Sequence, residues 1–208
     1  MITTSPKEIA RQLRRQWQYF GHYQLHNFVF IHINKTAGRS IGKSLGLPFE
    51  HKTTRRKIEE LGRAEWDKRF TFTFVRNPWD RAVSLYHFRV KTNQTNLKTD
   101  NISFEDWVKL CFLEQDPYYY NTHKMFMPQL DWLTDQDDKL AIDFIGKFEN
   151  LNQDFDKICD RIGRVSTLEH LHRSKRKSYR DYYNDETADI IRTFYQKDIN
   201  FFDYTFQN

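Results

Sequence analysis

Three short runs of apolar, β-branched and aromatic residues stand out along the chain. They cover residues 26–33 (HNFVFIHI), 70–75 (FTFTFV) and 140–148 (LAIDFIGKF). Apolar runs of this length, bounded by polar turns, predict buried β-strands. Segments with helical character lie between them. The pattern therefore predicts βαβ units, that is, an α/β fold with a central parallel sheet flanked by helices.

The helical segments carry recognisable start and stop signals. Asn77 before Pro78 is typical of an N-cap followed by the first helical residue, and Gly163 is typical of a helix end. No repeat or linker interrupts the pattern, which predicts a single domain over residues 1–208. The predicted helices cover residues 6–19, 41–45, 54–64, 78–89, 103–113, 121–133, 150–162 and 184–198.

Composition and charge narrow the class of protein. The chain has 208 residues, 38% of them hydrophobic and 16% aromatic, which supplies bulky material for a core. No apolar run approaches the length of a membrane-spanning helix, and the N-terminal residues lack the apolar segment of a secretory signal. Cys111 and Cys159 have no metal-ligand spacing, which favours buried thiols and a reducing, cytoplasmic location. The formal net charge of +5 favours an anionic partner.

A polar loop, residues 34–40, follows the first predicted strand and opens a helix. Ligands of parallel α/β sheets bind at the carboxyl ends of the strands, and helix N-termini attract anions through their N–H groups and dipole. Gly38 lets the backbone approach a ligand closely. Lys35 adds a mobile charge, and Thr36 and Ser40 add hydroxyl donors. The loop is therefore predicted to bind phosphate.

Two registers of this loop compete. Residues 37–44 (AGRSIGKS) fit a relaxed form of the P-loop motif G-x-x-x-x-G-K-[ST], in which Lys43 would reach the phosphates and Ser44 would hold magnesium. In a P-loop, however, the motif begins directly at the strand end, whereas here three residues separate the predicted strand from Ala37. The second register places the loop at residues 35–40, flush with the strand, and is the one we favour.

A second loop places Arg76 directly after the second predicted strand, and Ser84 lies eight residues further along, two turns into the next helix. Arginine is suited to bidentate recognition of phosphate. A helix repeats its face at about this interval, so Arg76 and Ser84 can converge on one phosphate. Asp80 and Arg81 can form a structural ion pair.

These two loops, in this order, resemble those of the sulfotransferases, especially the carbohydrate branch that includes the heparan 2-O- and chondroitin-type enzymes and their bacterial relatives. The resemblance rests on HINKTAGRSI, on FTFVRNPWDRAVSLYHF and on residues 143–151 and 178–204, so it spans nearly the whole chain. It implies a P-loop-like, three-layer α/β fold and a donor, 3′-phosphoadenosine 5′-phosphosulfate (PAPS). By position it implies that Arg76 and Ser84 hold the 3′-phosphate. The 5′-phosphosulfate would be held by Lys35, Thr36, Ala37, Gly38, Arg39, Ser40 and Ile41.

The chain departs from the family at two positions of the first loop. The family usually has proline where this chain has Asn34, and threonine where it has Arg39. Asn34 is expected to be tolerated because the loop works through its backbone and Lys35. Arg39 removes a side-chain hydroxyl contact, and its guanidinium can grip the 5′-phosphate instead.

Sulfuryl transfer is an in-line displacement at sulfur, which needs a base for the acceptor hydroxyl and a cation on the departing phosphate. Lys35 is the candidate cation, and with it no metal is expected. His51 is the candidate base because a histidine titrates near neutrality, and because the resemblance implies a catalytic histidine in this interval. His32, predicted inside the first strand, and Glu50 are the competing candidates.

Residues 172–180 (HRSKRKSYR) carry five basic side chains. They form either a solvated loop or, as the resemblance implies, a lid over the 3′-phosphate in which Lys175 and Arg176 are the contacts. Three consecutive tyrosines, residues 118–120, can stack on a sugar or pack in the core.

The sequence thus predicts a PAPS-dependent sulfotransferase that acts on an acceptor hydroxyl, with a glycan as the expected acceptor. Nucleic acid is not needed to explain the charge, no membrane span is expected, and the oligomeric state stays open. Two alternatives remain. One is a P-loop kinase that uses Lys43 and Ser44 with ATP and magnesium, and Asp143 as a Walker B carboxylate. The other is a non-catalytic module that binds nucleotides or polyanions.

Overall fold

A parallel β-sheet forms the centre of the fold. The computed structural model describes residues 26–165, 168 and 177–207. The strands of the sheet pair in chain order and all run parallel; they are β1 (Phe28–Ile31), β2 (Phe70–Val75) and β3 (Phe144–Lys147). Because the strands are parallel, their carboxyl ends lie at one edge of the sheet, where the two predicted loops begin.

Helices connect the strands and cover both faces of the sheet. This arrangement confirms the α/β fold with a central parallel sheet flanked by helices. A π-helical turn, Lys109–Leu113, extends the short α-helix Phe104–Val108. The α-helices of the described part are α1 (Gly38–Leu45), α2 (Thr54–Leu61), α3 (Arg63–Trp66), α4 (Pro78–Lys91), α5 (Phe104–Val108), α6 (Leu151–Ile162), α7 (Asp185–Phe194) and α8 (Gln196–Phe202).

Local signals explain where several helices begin and end. The side chain of Asn77 accepts the main-chain N–H groups of Trp79 and Asp80, which caps α4. Asn184 caps α7 in the same way by accepting from Thr187. Gly163 ends α6 in a left-handed conformation that glycine adopts readily.

Alternate residues of the strands pack on opposite faces of the sheet. Phe72 and Phe74 of β2 pack against α1 and α6 through residues such as Ile41. Ile31 of β1 points to the other face and packs in a cluster that includes Ile58 of α2. Each of these side chains is almost fully buried, and burial of one large apolar side chain contributes roughly 1.5–3 kcal/mol. The sheet is therefore fixed from both sides.

The predicted helix over residues 121–133 is wrong. The structure has only two 3-10 turns there, His123–Met125 and Leu130–Trp132. Some main-chain groups of this segment form hydrogen bonds with side chains of distant elements, where in a helix they would pair with one another. Arg81 donates to two of its carbonyls, and the Asp198 carboxylate accepts two of its N–H groups. Tertiary contacts thus override local helical propensity.

Other predicted boundaries shift without changing the fold. The helix predicted over residues 54–64 divides at Gly62, whose φ of 82° interrupts it. The last predicted helix divides at Tyr195. The first and third strands are shorter than predicted. The helix predicted over residues 6–19 lies outside the described residues.

Candidate active site

The loop after β1 holds two non-glycine residues in left-handed backbone conformations. Lys35 and Ala37 both have a φ of 67°, which costs an L-residue about 1–2 kcal/mol. The hydroxyl of Thr36 donates to the carbonyl of Ile33 at 2.9 Å and so serves the loop itself. Backbone strain concentrates at functional sites, and left-handed residues turn successive N–H groups into a concave surface that can receive an anion.

The first turn of α1 completes this anion-binding surface. The helix begins at Gly38, with Ala37 as its N-cap. The N–H groups of Ser40 and Ile41 donate to the carbonyl of Ala37. The N–H groups of Gly38 and Arg39 are therefore the ones that point out of the helix end.

The geometry disfavours the P-loop register. Lys43 and Ser44 lie in the second turn of α1, and Lys43 is exposed. Asp143, the Walker B candidate, precedes β3 at the amino end of the sheet, opposite the two loops. Its carboxylate accepts from the main-chain N–H and the hydroxyl of Thr71 at 2.8 and 2.9 Å. Both observations favour the register at residues 35–40.

Arg76 joins the two loops. Its guanidinium donates to the Asp80 carboxylate from Nε at 2.8 Å and from Nη2 at 2.7 Å, and Nη1 donates to the carbonyl of Lys35 at 3.1 Å. The side-chain amide of Gln129 accepts the main-chain N–H of Arg76 at 2.9 Å and donates to its carbonyl at 2.8 Å. The position of this cation is thus fixed relative to the first loop.

Arg76 and Lys35 contact two positions of α4 that flank Ser84 in the sequence. Asp80, Ser84 and Phe88 follow one another at intervals of four residues, so their side chains line up on that face. Arg76 pairs with Asp80 at one end. At the other end, Nζ of Lys35 lies over the ring of Phe88, 4.6 Å from its centroid. The half-buried Ser84 stands midway between Asp80 and Phe88 along this face, and two cations at its two ends suit a ligand with more than one anionic group.

His51 lies beside the end of β1, and a hydrogen bond fixes its tautomer. Its Nδ1 is 3.0 Å from the main-chain carbonyl of His32. A carbonyl only accepts, so Nδ1 carries the proton and Nε2 keeps the lone pair. The ring centroid of His51 is 4.2 Å from that of His32 and 4.9 Å from that of Phe49. Nζ of Lys124 donates to the main-chain carbonyl of His51 at 2.6 Å.

Both histidines are held in the neutral form. Burial lowers the pKa of His51, and the nearby charges of Lys124 and Lys35 lower it further, against the hydrogen bond to His32. Burial and the neighbouring His51 lower the pKa of His32 to about 3. A neutral His51 with a lone pair on Nε2 can accept a proton, whereas His32 is packed in the interior.

Glu50, the other candidate base, is committed to ion pairs. Its carboxylate contacts the ammonium groups of Lys57, whose side chain is 1% exposed, and of Lys52, at 3.0 Å. Burial raises the pKa of Glu50, and the Lys52 contact acts in the opposite direction. These pairs anchor the segment that carries His51 to α2.

Arg39 lies on the side of α1 that faces His51. Its guanidinium stacks over the ring of Phe49, with the two centres 5.3 Å apart. Phe49 is 57% exposed, and its ring is edge-on to the rings of His32 and His51. Arg39 and Phe49 thus form the rim of the site next to His51. Sequence analysis did not single out Phe49.

A chain of hydrogen bonds that no sequence motif predicts connects α4 with His51. Nη2 of the buried Arg81 donates to Oδ1 of Asn34 at 3.0 Å, and Nδ2 of Asn34 donates to the carbonyl of Lys124 at 3.0 Å. Lys124 in turn binds the main chain of His51. Arg81 was expected to pair with Asp80, whose ion pair is with Arg76. No local signal locates Lys124, because it lies in the segment wrongly predicted as a helix.

The remaining expectations have different outcomes. Lys175 and Arg176 lie outside the described residues. Tyr118 is 51% exposed, whereas Tyr119 and Tyr120 pack against the helical cluster around α4, α5 and α7.

Across residues 26–165 and 177–207, no group of side chains that could hold a metal ion is found. In that same part of the chain, no helix is long and apolar enough to cross a membrane.

Comparison with known proteins gives the family. A protein of Archaeoglobus fulgidus, named "Uncharacterized protein", is 32% identical over 112 residues, which cover 52% of this chain and 80% of that protein. No solved structure matches the chain. The model of the Sulfotransferase family matches residues 23–205, which include both loops and His51. Since this match covers most of the chain, the chain belongs to the sulfotransferase family, whose common chemistry is the transfer of a sulfuryl group.

Proposed function

We propose that this protein transfers the sulfuryl group of PAPS to a hydroxyl group of a carbohydrate, with His51 as the general base. The observation that carries the proposal is that Arg76 and Lys35 contact two positions of α4 that flank Ser84. Membership of the family supplies the type of reaction. A neutral His51 with a fixed tautomer supplies the base.

The donor has two anionic groups, and the site offers two cations. Arg76 and Ser84 would hold the 3′-phosphate, since a guanidinium and a hydroxyl both donate to phosphate oxygens. Lys175 and Arg176 of the basic loop would cover it. The 5′-phosphosulfate would lie against the N–H groups of Gly38 and Arg39, which point out of the helix end. The segment that surrounds it would comprise Lys35, Thr36, Ala37, Gly38, Arg39, Ser40 and Ile41.

The proposed chemistry is a single displacement at sulfur. Nε2 of His51 takes the proton of the acceptor hydroxyl while the acceptor oxygen forms a bond to sulfur. The bond between sulfur and the bridging oxygen of the 5′-phosphate breaks, and adenosine 3′,5′-bisphosphate leaves with the electron pair. The ammonium group of Lys35 stabilises the charge that develops on the leaving phosphate.

The acceptor class rests on the resemblance to the carbohydrate branch and on the rim of the site. The exposed ring of Phe49 offers a flat apolar surface beside His51, and aromatic rings of this kind can pack against a sugar. We also infer a reducing compartment such as the cytoplasm, because Cys111 and Cys159 are both buried thiols that form no disulfide with each other.

A transfer assay tests the proposal. PAPS labelled at sulfur is incubated with a panel of glycans, small alcohols and phenols, and the labelled products are counted. Transfer to a glycan is expected, and His51→Ala should reduce it by about 10²–10⁴-fold. The same variant should still bind adenosine 3′,5′-bisphosphate in calorimetry. A wild-type protein that ignores this bisphosphate and binds ATP with Mg²⁺ would contradict the proposal.

A further inference from the structure

Gly38 lies directly against the imidazole ring of His32. A Cβ atom built at position 38 would lie 1.8 Å from Cδ2, 2.1 Å from Nε2 and 2.5 Å from Cγ of that ring. The glycines with a positive φ are at other positions, so the backbone here would accept any residue. Glycine is therefore required at position 38 by the space that His32 occupies.

The same imidazole ring also packs against the ring of His51. The two ring centroids are 4.2 Å apart, and the main-chain carbonyl of His32 accepts from Nδ1 of His51 at 3.0 Å. The ring of His32 in turn hydrogen-bonds to the main chain of Glu50. Each histidine ring thus bonds to the main chain of the other segment, and His32 is only 7% exposed.

We propose that His32 is a positioning residue, packed between Gly38 and His51, that sets the distance from the donor loop to the general base. The inference rests on the role proposed for His51. Gly38 is the first residue of α1, and its N–H group belongs to the donor-binding surface. The buried ring of His32 therefore contacts both the donor loop and the general base. A side chain added at position 38 would displace this ring, and the ring would displace His51.

The structure gives the size of such a displacement. With alanine at position 38, the ring of His32 would have to retreat by roughly 1.6 Å to reach an ordinary contact of 3.4 Å. A misplacement of about 1 Å at a reacting group can cost about a hundredfold in rate. The added methyl group would point at His32, and the N–H group at position 38 would remain. The donor site should therefore be spared.

Gly38→Ala tests the proposal, with Gly42→Ala as the matched control. Gly42 lies one turn further along the same helix, and a Cβ there would meet nothing closer than 3.7 Å. The kcat of transfer from PAPS and the Kd for adenosine 3′,5′-bisphosphate are measured for both variants. Gly38→Ala should lower kcat about a hundredfold and change Kd less than about threefold. Gly42→Ala should leave both unchanged within about twofold.

Two double variants show whether the fall in kcat caused by Gly38→Ala depends on His32 and His51. In His32→Ala the space next to position 38 is open, so adding Gly38→Ala should cost less than about threefold. In His51→Ala the base is already missing, so the same addition should leave the residual rate unchanged. The proposal is overturned if Gly38→Ala costs as much in either background as in the wild type, or if it raises Kd tenfold and spares kcat. If Gly38→Ala alone does not fold, folding of the double variant with His32→Ala confirms the contact, and failure of that variant to fold refutes it.

An NMR titration of the His51 ring separates this inference from the proposed function. His32→Ala should raise the pKa of His51, because water reaches the ring. Gly38→Ala should shift the ring resonances of His51, and Gly42→Ala should not. If these changes occur in a protein that transfers no sulfuryl group, the proposed function fails and the positioning role stands. If they do not occur, the positioning role fails whatever the activity.

Discussion

Asn34 occupies the position at which the family usually has proline, and its side chain links three parts of the fold. Oδ1 accepts from Nη2 of Arg81, and Nδ2 donates to the carbonyl of Lys124, both at 3.0 Å. We expect Asn34→Ala to destabilise the protein and to loosen His51, because Lys124 also binds the main chain of His51. The sequence alone assigns no role to this side chain, because the loop is expected to work through its backbone and Lys35.

The expected loss of stability in Asn34→Ala follows from the two hydrogen bonds that the Asn34 side chain makes. The bond from Arg81 is charge-assisted and buried, and its loss costs roughly 1.5–3 kcal/mol. The neutral bond to the Lys124 carbonyl contributes about 0.5–1.5 kcal/mol. Arg81 keeps its contacts to the carbonyls of Met125 and Met127, so the combined loss should be about 2–4 kcal/mol. For a chain of this length that corresponds to a fall in Tm of roughly 5–15 °C.

Urea and thermal unfolding of Asn34→Ala measure this loss, and Asn34→Asp is the control. The aspartate keeps an acceptor for Arg81 but replaces the donor to Lys124 with a second acceptor. The repulsion from the Lys124 carbonyl is opposed by the added charge attraction to Arg81, so this variant should lose less stability than the alanine variant. A free energy of unfolding for Asn34→Ala within about 0.5 kcal/mol of the wild type would refute the reasoning. Equal losses for the two variants would show that the bond from Arg81 contributes little.

The pKa read from the acidic limb of the pH–rate profile should lie below the usual value for a histidine, because burial lowers the pKa of His51. In Lys124→Met this pKa should rise, since a nearby positive charge is removed. An unchanged pKa in that variant would contradict the electrostatic coupling between Lys124 and His51. His32 has a pKa of about 3 in the fold against 6.5 in the unfolded chain, so the folded state binds fewer protons. Stability should then fall as the pH drops from about 6.5 toward 3, by up to about 1.4 kcal/mol per pH unit, and His32→Phe should flatten this slope in urea titrations. Arg76→Lys should raise the Kd for adenosine 3′,5′-bisphosphate at least about tenfold, because an ammonium group cannot bind Asp80 and the Lys35 carbonyl as the guanidinium does; calorimetry with an unchanged Kd would remove Arg76 from the donor site.

Local signals were sufficient for much of the fold. The apolar runs predicted all three described strands, because burial on both faces of a parallel sheet leaves a continuous apolar segment. Asn77 and Gly163 predicted the start of α4 and the end of α6, since capping depends on neighbours within one turn. The same signals failed at residues 121–133. Pro128, a local signal against a helix that the prediction did not use, stands inside this segment, and bonds from Arg81 and Asp198 take the place of helical ones.

Some features of the candidate site could likewise be predicted from the sequence, and others could not. The positions of Lys35, Arg76 and Ser84 after the carboxyl ends of parallel strands could be predicted from the sequence, because apolar runs and helix periodicity are local properties of the chain. Two other contacts depend on how the chain packs: Nδ1 of His51 binds a carbonyl 19 residues away, and Asn34 binds Lys124 across 90 residues. Such contacts form when packed elements bring distant segments together. The sequence around each of these residues gives no indication of its distant partner.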